Sequence, residues 1–413
     1  DPAGAAAAMV PLGALRAVAS VAATGGVTGA ARALHQSPSS VTRAVQRAEA
    51  MLGVKLFERG ALGMTATVAG ELLAVRVTRA LKELQAAADG LRVRGAPASA
   101  AALPRLVSDT LLQAFVARAG HATESAAAAR VGLSQPALHQ ALRRLEHVAK
   151  VPLFERTRVG ARLNESGRWM HQQAQLALAE IRIGHEELAR WRGLGGTRVA
   201  IGTLPMASDV LVPQAVALAL NAGSDVQLTV KDGTYESLTQ MLRVADIDFM
   251  VGPLRGPALA DDMVEEVLLV DRFVAVVRTG HPLLSGGRLI SLRRLAPCAW
   301  VGPLPGTPAQ AVFDRLFADA GLPPPRVILR AHSTAVVRSV LLASDHVALI
   351  SPLQVHADVQ AGLLAHVSAP LAGSERAIGI TQRRDALASS SCMDILAALR
   401  QAAACATRPK ADK

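Results

Sequence analysis

Residues 18–70 of this 413-residue chain recur without a gap 97 residues later, at 115–167. Ser37 falls on Ser134, Glu49 on Glu146, Leu56-Phe57-Glu58-Arg59 on Leu153-Phe154-Glu155-Arg156, Gly63 on Gly160 and Gly70 on Gly167. A repeat at a fixed period constrains a fold more than any local pattern, because whatever one copy becomes the other becomes too. Two copies are too few to stack into a solenoid, so the reading is one small domain, duplicated.

Each copy is helical with a short ribbon. In copy one the spacing predicts a helix over 12–24, with Leu15, Val18, Ala19 and Ala22 on one face. Thr28 is placed to cap a second helix over 29–34, and Ser37 a third over 38–52 that Gly53 ends. Pro38 sits in the first turn, where proline is tolerated. The run 54–67, with two glycines, reads as a β-wing, so the plan is a winged helix-turn-helix. In copy two the helices are expected over 106–118, 124–131 (capped by Thr123) and 136–148 (capped by Ser134), with the wing over 151–164.

A long helix follows each wing. Leu73, Val77, Ala80, Leu84, Ala87 and Leu91 are spaced 4, 3, 4, 3, 4, and Met170, Ala174, Ala177, Ile181, Gly184, Leu188 and Trp191 are spaced 4, 3, 4, 3, 4, 3. Leu73 and Met170 are 97 apart, so the two seams share a register. A 3.5-residue apolar repeat is a coiled-coil seam, and each helix is expected to pair with another helix. Between the copies, 95–104 (GAPASAAALP) reads as a flexible linker.

Charge separates the halves. Lys and Arg exceed Asp and Glu by 10 in residues 1–197 and by only 1 in the rest, which favours a polyanion partner for the repeats. With 51% hydrophobic and 19% charged residues the chain is globular, and no apolar run reaches the roughly 18 residues that span a bilayer. The Ala-rich start has no basic region and is not read as a secretory signal. Cys298, Cys392 and Cys405 form no metal-ligand spacing and read as reduced thiols of a cytoplasmic protein. No GxSxG, HExxH or Walker-type glycine loop is present, so neither a catalytic set nor a metal or cofactor is expected.

Beyond Gly196 the pattern alternates. Strands are predicted over 198–202, 226–230, 247–252, 267–277, 298–302, 326–329 and 347–350. Helices are predicted up to 220, up to 244, and over 310–320 and 334–342. Such alternation implies a parallel sheet, whose ligands bind beyond the carboxyl ends of the strands.

The stretches AARALHQSPSSVTRAVQRAE, LGVKLFER and TVAG, repeated as AAAARVGLSQPALHQALRRLE, VPLFER and LNESG, resemble the DNA-binding domain of LysR-type transcriptional regulators. VAIGTLPMASDVLVPQAV, DGTYESLTQMLRVADIDFMVG and AVVRTGHPLL resemble that family's effector-binding module. The implied fold class is multi-domain. Two all-α winged helix-turn-helix domains (10–70 and 105–167) with long linker helices (71–94 and 168–193) precede an α/β periplasmic-binding-protein-like effector domain of two subdomains (197–390) and a C-terminal tail (391–413). The family normally carries one DNA-binding domain per chain, and here there are two.

The resemblance puts the major-groove reading helices at 38–49 and 135–146. It places DNA contacts on Ser37, Ser39, Thr42, Arg43, Arg47 and Arg59 in copy one. In copy two they fall on Ser134, Gln135, Pro136, His139, Gln140, Arg143 and Arg156. The family opens this helix Ser-Gln and continues Ser-Arg four residues later. Copy one keeps Ser37, Thr42 and Arg43 but has Pro38 for Gln; copy two keeps Ser134 and Gln135 but has His139-Gln140 for Ser-Arg. Gln reads adenine bidentately and Arg reads guanine or phosphate. Capping alone also accounts for the two serines, and Arg59 and Arg156 either bind phosphate or brace the wing against Glu58 and Glu155.

The implied effector positions are Thr203, Met206, Ser208, Thr234, Pro253, Ser333 and Thr334. Leu204 and Met206 stand where the family often has hydroxyls, and Pro253 where some members are polar or basic, so a neutral or largely apolar effector is expected at least as much as an acidic one. The function so implied is operator binding modulated by a small effector. Its partners are double-stranded DNA, the effector and further copies of the chain in a homo-oligomer, with no membrane. The alternative is a small-molecule-binding protein whose DNA-binding copies are degenerate. Two helix pairings are open. The linker helices pair within one chain, making a pseudo-dimer, or the copy-two helices pair between chains in a four-headed homodimer. The second is preferred here, because the family's effector module also dimerises.

Overall fold

The computed structural model describes residues 10–60, 63–158, 160–286, 289–369 and 371–407. The Ala-rich stretch 1–9, wing residues 61–62 and 159, and tail residues 408–413 lie outside the described residues. The chain divides after Thr197 into two compact units.

In the first unit, α1 (Leu12–Thr24) buries Leu12, Leu15, Val18 and Val21, and ends at Gly25 in the left-handed region. The second helix, α2 (Val27–Leu34), begins two residues earlier than expected, at a Gly26 N-cap, so Thr28 lies inside its first turn and caps nothing. Next, α3 (Pro38–Leu52) has the expected Ser37 cap, which accepts from Ser40 N, and buries Val41, Val45 and Ala48 on one stripe. An antiparallel ribbon, β1 (Phe57–Gly60) with β2 (Gly63–Ala66), forms the wing, and α4 (Val68–Val93) follows it.

The stretch read as a flexible linker is ordered. Residues 98–102 form a 3₁₀ turn that runs into α5 (Leu103–Leu106), and Ala100 and Leu103 are fully buried. Small apolar side chains that look like linker composition here fill core space. Copy two then starts later than periodicity suggested, because Ser108 caps α6 (Asp109–Gly120) through Leu111 N. Thr123 caps α7 (Glu124–Arg130), and Ser134 caps α8 (Gln135–Ala149). The second wing is β3 (Phe154–Thr157) with β4 (Gly160–Leu163), and α9 (Glu165–Trp191) completes the unit.

The residues shared by the copies are explained by this framework. Glu49 Oε1 accepts from the amides of Leu56 (2.9 Å) and Phe57 (3.4 Å), and Glu146 Oε1 does the same for Leu153 (2.8 Å) and Phe154 (3.4 Å). Each glutamate thus ties the recognition helix to the first wing strand. A Cβ on Gly70 would sit 2.0 Å from Leu56 O, and one on Gly167 2.0 Å from Leu153 O. Only glycine lets the long helix approach the wing backbone so closely.

The long helices pair within the chain. Arg76 of α4 meets Glu187 of α9, while Ala86 O accepts from the Trp169 indole, so the pair runs antiparallel. Leu73, Val77, Ala80, Leu84, Ala87 and Leu91 are all fully buried, as are Met170, Ala174 and Ala177, with Ile181 and Leu188 nearly so. This is the pairing within one chain, with the α9 seam filled by α4. Trp191 is a further correction: it is 51% exposed and lies outside the seam.

The second unit holds two five-stranded sheets. The first, in order β6-β5-β7-β14-β8, comprises β5 (Arg198–Thr203), β6 (Gln227–Asp232), β7 (Phe249–Pro253), β8 (Met263–Arg272) and β14 (Glu375–Arg383). The second, β11-β10-β12-β9-β13, comprises β9 (Val274–Arg278), β10 (Ala299–Gly302), β11 (Arg326–Arg330), β12 (Val347–Ile350) and β13 (Leu364–Val367). Helices α10 (Val212–Asn221), α11 (Tyr235–Arg243), α12 (Leu292–Leu295), α13 (Pro308–Asp319), α14 (Thr334–Ala343), α15 (His356–Gln360) and α16 (Ser390–Thr407) accompany them. Three expectations are corrected. Both sheets are mixed rather than parallel, because β14 and β9 run antiparallel to their neighbours. The single strand expected over 267–277 is two strands in different sheets, broken at Phe273. The tail from 391 is largely the helix α16, whose Cys392, Ile395, Leu399 and Ala402 are buried in the core with Ala215 and Ala219 of α10.

Candidate DNA-reading faces and ligand cavity

Burying Val41, Val45 and Ala48 turns the opposite stripe of α3 outward, and there Ser39, Arg43 and Arg47 are exposed. Neither arginine has an ion-pair partner among the described residues, which leaves both charges available to a polyanion. Thr42 is half-buried and its hydroxyl donates to Pro38 O at 3.0 Å, so it serves the helix first. Ser37 is engaged as a cap and in hydroxyl contacts with Ser39 (3.0 Å) and Ser40 (2.8 Å). On α8, Leu138, Ala141, Leu142 and Leu145 face inward, and Gln135, Pro136, His139, Gln140 and Arg143 are exposed. Arg143 Nε lies 3.4 Å from His139 Nε2, and His139 Nδ1 lies 3.8 Å from Glu124.

On the wings, Arg59 and Arg156 are exposed, and neither forms an ion pair with Glu58 or Glu155 among the described residues. Adjacent strand residues point to opposite faces, so the bracing role fails on geometry and a phosphate contact remains open. Every sequence-predicted DNA residue is thus on a recognition helix, its cap or a wing. Arg144, the counterpart of Arg47 and not among the residues singled out from the sequence, is likewise exposed beside Arg143.

In the second unit a cavity of about 380 Å³ lies between residues of the two sheets and their loops. Its walls are mostly apolar: Leu204, Pro205, Pro253, Phe273, Val301, Val337 and Ile350, with the loop 303–308 along one side. Of the seven predicted positions Thr234, Pro253 and Thr334 line it. Thr203 does not; it is fully buried and its hydroxyl bonds Asp232. Met206 is core, 2% exposed, Ser208 donates to Pro205 O at 2.9 Å, and exposed Ser333 makes no side-chain cap; none of these three lines the cavity.

The polar wall residues that sequence reasoning missed include Tyr235, Arg255, Thr307 and Gln354. Glu265 accepts from the amides of Arg255 (2.8 Å) and Gly256 (3.0 Å), fixing the turn that presents Arg255. The Arg255 guanidinium stacks on Tyr235, 4.0 Å from the ring centre, and its buried Nε has no hydrogen-bond partner among the described residues. Asp209 accepts from Thr334 (2.5 Å), at the start of α14, and from Gln354 (2.7 Å), so a carboxylate of the chain already occupies these two wall donors.

Among the described residues there is no group of His, Cys, Asp or Glu placed to hold a metal ion, and no helix long and apolar enough to cross a membrane.

Comparison with known proteins accords with this geometry. The family model "Bacterial regulatory helix-turn-helix protein, lysR family" matches residues 12–71 and again 110–168, and "LysR substrate binding domain" matches 192–404. The HTH-type transcriptional regulator GalR of Pseudomonas putida is 34% identical over 388 residues, 94% of this chain and 96% of that one, a span that takes in both copies. The HTH-type transcriptional regulator PcaQ of Agrobacterium fabrum is 31% identical over 294 residues, 71% of this chain and 94% of its own. Full-length LysG of Corynebacterium glutamicum, solved with its effector bound, shares the fold at a TM-score of 0.52 and 17% identity, over 73% of this chain and 99% of that one. Two sequence matches to the DNA-binding model, one to the effector-binding model and the relatives named place the chain in one family: it belongs to the LysR type, as a DNA-binding transcriptional regulator with a C-terminal effector-binding domain.

Proposed function

We propose that both winged helix-turn-helix copies read DNA, and that one chain is a two-headed unit acting on an asymmetric operator. The observation that carries this is the outward stripe of each recognition helix, exposed in both copies yet different at most positions: Pro38, Arg43 and Gln46 on α3 stand against Gln135, Gln140 and Arg143 on α8, while Arg47 recurs as Arg144. Phosphate contacts through Arg59 and Arg156 supply affinity common to both half-sites, and base edges supply the difference. Footprinting on the DNA upstream of the regulated gene tests this. Two unlike half-sites are expected, with Arg43→Ala weakening one and Gln135→Ala the other. A strictly palindromic footprint, indifferent to one of the two variants, refutes it, and no specific footprint at all returns the degenerate-copy alternative.

The second unit acts as a periplasmic-binding-protein-like module whose effector has an apolar body and one anionic group. The apolar walls fit the body, and the cavity size suits a small metabolite. Since Asp209 fills the donors of Thr334 and Gln354, the charge is taken by Arg255, a cation held at the wall by stacking. Of the two effector classes left open by the sequence, this reading favours the one with an acidic group. Thermal shift with small aliphatic and aromatic monocarboxylates against their amides checks this: stabilisation by acids alone, lost in Arg255→Ala, is expected, and equal stabilisation by amides defeats it. Effector closure of this module shifts the arrangement of the DNA-binding unit in a chain that works in the cytoplasm as a homo-oligomer.

A further inference from the structure

The α4–α9 seam is not symmetric, although both helices descend from one repeat. Arg76, only 2% exposed, bonds Glu187 through Nε (2.8 Å) and Nη2 (2.7 Å) and Glu180 through Nη1 (3.1 Å). Gly184 makes room for it, since a Cβ there would lie 3.0 Å from Arg76 Cβ. Burial works against the Arg76 charge, but the two carboxylates outweigh it and hold the guanidinium protonated. Farther along, Trp169 lies on Gly90, where a Cβ would come within 2.0 Å of the indole nitrogen, and Arg94 stacks on the ring at 4.8 Å.

The 97-residue offset shows what each helix would meet in a copy of itself. Two α9 helices in this register would oppose Gln173, the counterpart of Arg76, to Glu180 and Glu187, stranding two carboxylates. They would also drive Trp169 onto Glu187, the counterpart of Gly90. Two α4 helices would place Leu72 over Gly90, leaving a void, and would give Arg76 Glu83 but Gly90 in place of Glu187. We propose that the seam is keyed, by the Arg76–Glu180/Glu187 cluster and the Trp169–Gly90 knob and hole, so that α9 accepts the α4 of its own chain and not the α9 of a second copy. A buried ion pair adds little net stability over apolar packing, but it penalises a partner that lacks the opposite charge, and so selects pairing. Self-association of the chain then uses surfaces other than α9. The consequence for DNA rests on the two-headed reading above; the keyed seam does not.

Two full-length chains with different tags, Arg76→Glu and Glu187→Arg, are made singly, co-expressed, and combined in one chain. Each single variant is expected to lower the melting temperature of the first unit by about 10 °C and to expose residues 68–191 to trypsin. The chain carrying both substitutions recovers most of the loss, and the co-expressed pair recovers none. Recovery on co-expression overturns the proposal, because a seam between chains would then offer one wild-type and one reversed interface. Unchanged melting of the single variants overturns it equally. Should charge reversal prevent folding, the size pair decides: Gly90→Ala destabilises, and adding Trp169→Leu restores, whereas a harmless Gly90→Ala contradicts the keying. A wild-type chain that fails to bind its operator would count against the two-headed reading and leave these melting results unaffected.

Discussion

Copy one and copy two share a scaffold and differ on their outer faces. Glu49 and Glu146 hold the same pair of wing amides, Ser37 and Ser134 cap the same helix, and Gly70 and Gly167 pass under the same carbonyl. On the reading stripe most positions have changed, with Pro38 against Gln135, Ser39 against Pro136, Thr42 against His139 and Arg43 against Gln140, while Arg47 is kept as Arg144. The arginine lost at Gln140 has its nearest replacement at Arg143, about one helical turn along. What a domain needs in order to fold is the same in both copies, and what it presents to a partner is not. The seam follows this rule in part: its apolar register is common, while its charges and its tryptophan are not.

The largest effect should come where the copies are most alike. Gly70→Ala and Gly167→Ala each push a methyl against a wing carbonyl, and each is expected to cost about 3 kcal/mol, the upper part of the overpacking range. Equal losses on denaturant melting support equivalence of the two scaffolds. A tolerated Gly167→Ala would show that copy two has relaxed.

DNA binding sharpens the other side of the comparison. Arg43→Ala is expected to weaken operator binding about 10- to 100-fold and to relax one half-site, while Gln140→Ala, at the matching position, has a smaller effect on the other half-site. Competition gel shifts with each half-site scrambled in turn would measure both. Identical effects of the two substitutions on both half-sites would mean that the heads are interchangeable.

Much of this was legible in the chain itself, and the misses have physical causes. The caps Ser37, Thr123 and Ser134 and the seam register follow from local chemistry, which sequence records directly. Ala100 and Leu103 look like linker because their burial depends on partners distant in sequence. The break at Phe273 is invisible because both flanking strands are apolar, and only their pairing shows that they belong to different sheets. By contrast, α16 had a readable helical period in Cys392, Ile395, Leu396 and Leu399. At the effector site, family positions located Thr234, Pro253 and Thr334 but not Arg255, which enters the wall through a turn set by Glu265. The loop 303–308 contributes wall by its path rather than by any telling side chain.

A third contrast concerns protons. His171 of α9 packs against Phe115, with ring centres 6.1 Å apart, and burial lowers its pKa; the matching position in copy one is Ala74. A histidine whose folded pKa lies below its unfolded value of about 6.5 binds its proton more readily unfolded, so stability is full above that pH and falls as the pH drops through it. Melting of the first unit at pH 7.5 and 5.5 should show a fall of a few degrees on acidification, and His171→Phe should flatten it. An unchanged pH dependence in the variant would assign the acid sensitivity to other groups.

The smallest effect tests a place where copy two departs from its twin inside the scaffold. Both recognition helices end in a left-handed residue, Gly53 at φ 62° and Lys150 at φ 62°. Glycine takes that conformation freely, while a residue with a Cβ pays roughly 1 kcal/mol for it. Lys150 N nonetheless donates to Glu146 O at 2.8 Å, so the cap itself is intact and only the backbone is strained. Lys150→Gly should therefore stabilise the first unit by about 0.5–1 kcal/mol, offset in part by the greater entropy glycine gives the unfolded chain. Gly53→Lys should destabilise by a similar amount. Lys150 is exposed, so its side chain contributes little packing to lose. If Lys150→Gly destabilises instead, the lysine has a role in copy two that strain alone does not reveal, and phosphate contact at the end of α8 would be the first role to test, by the salt dependence of operator binding.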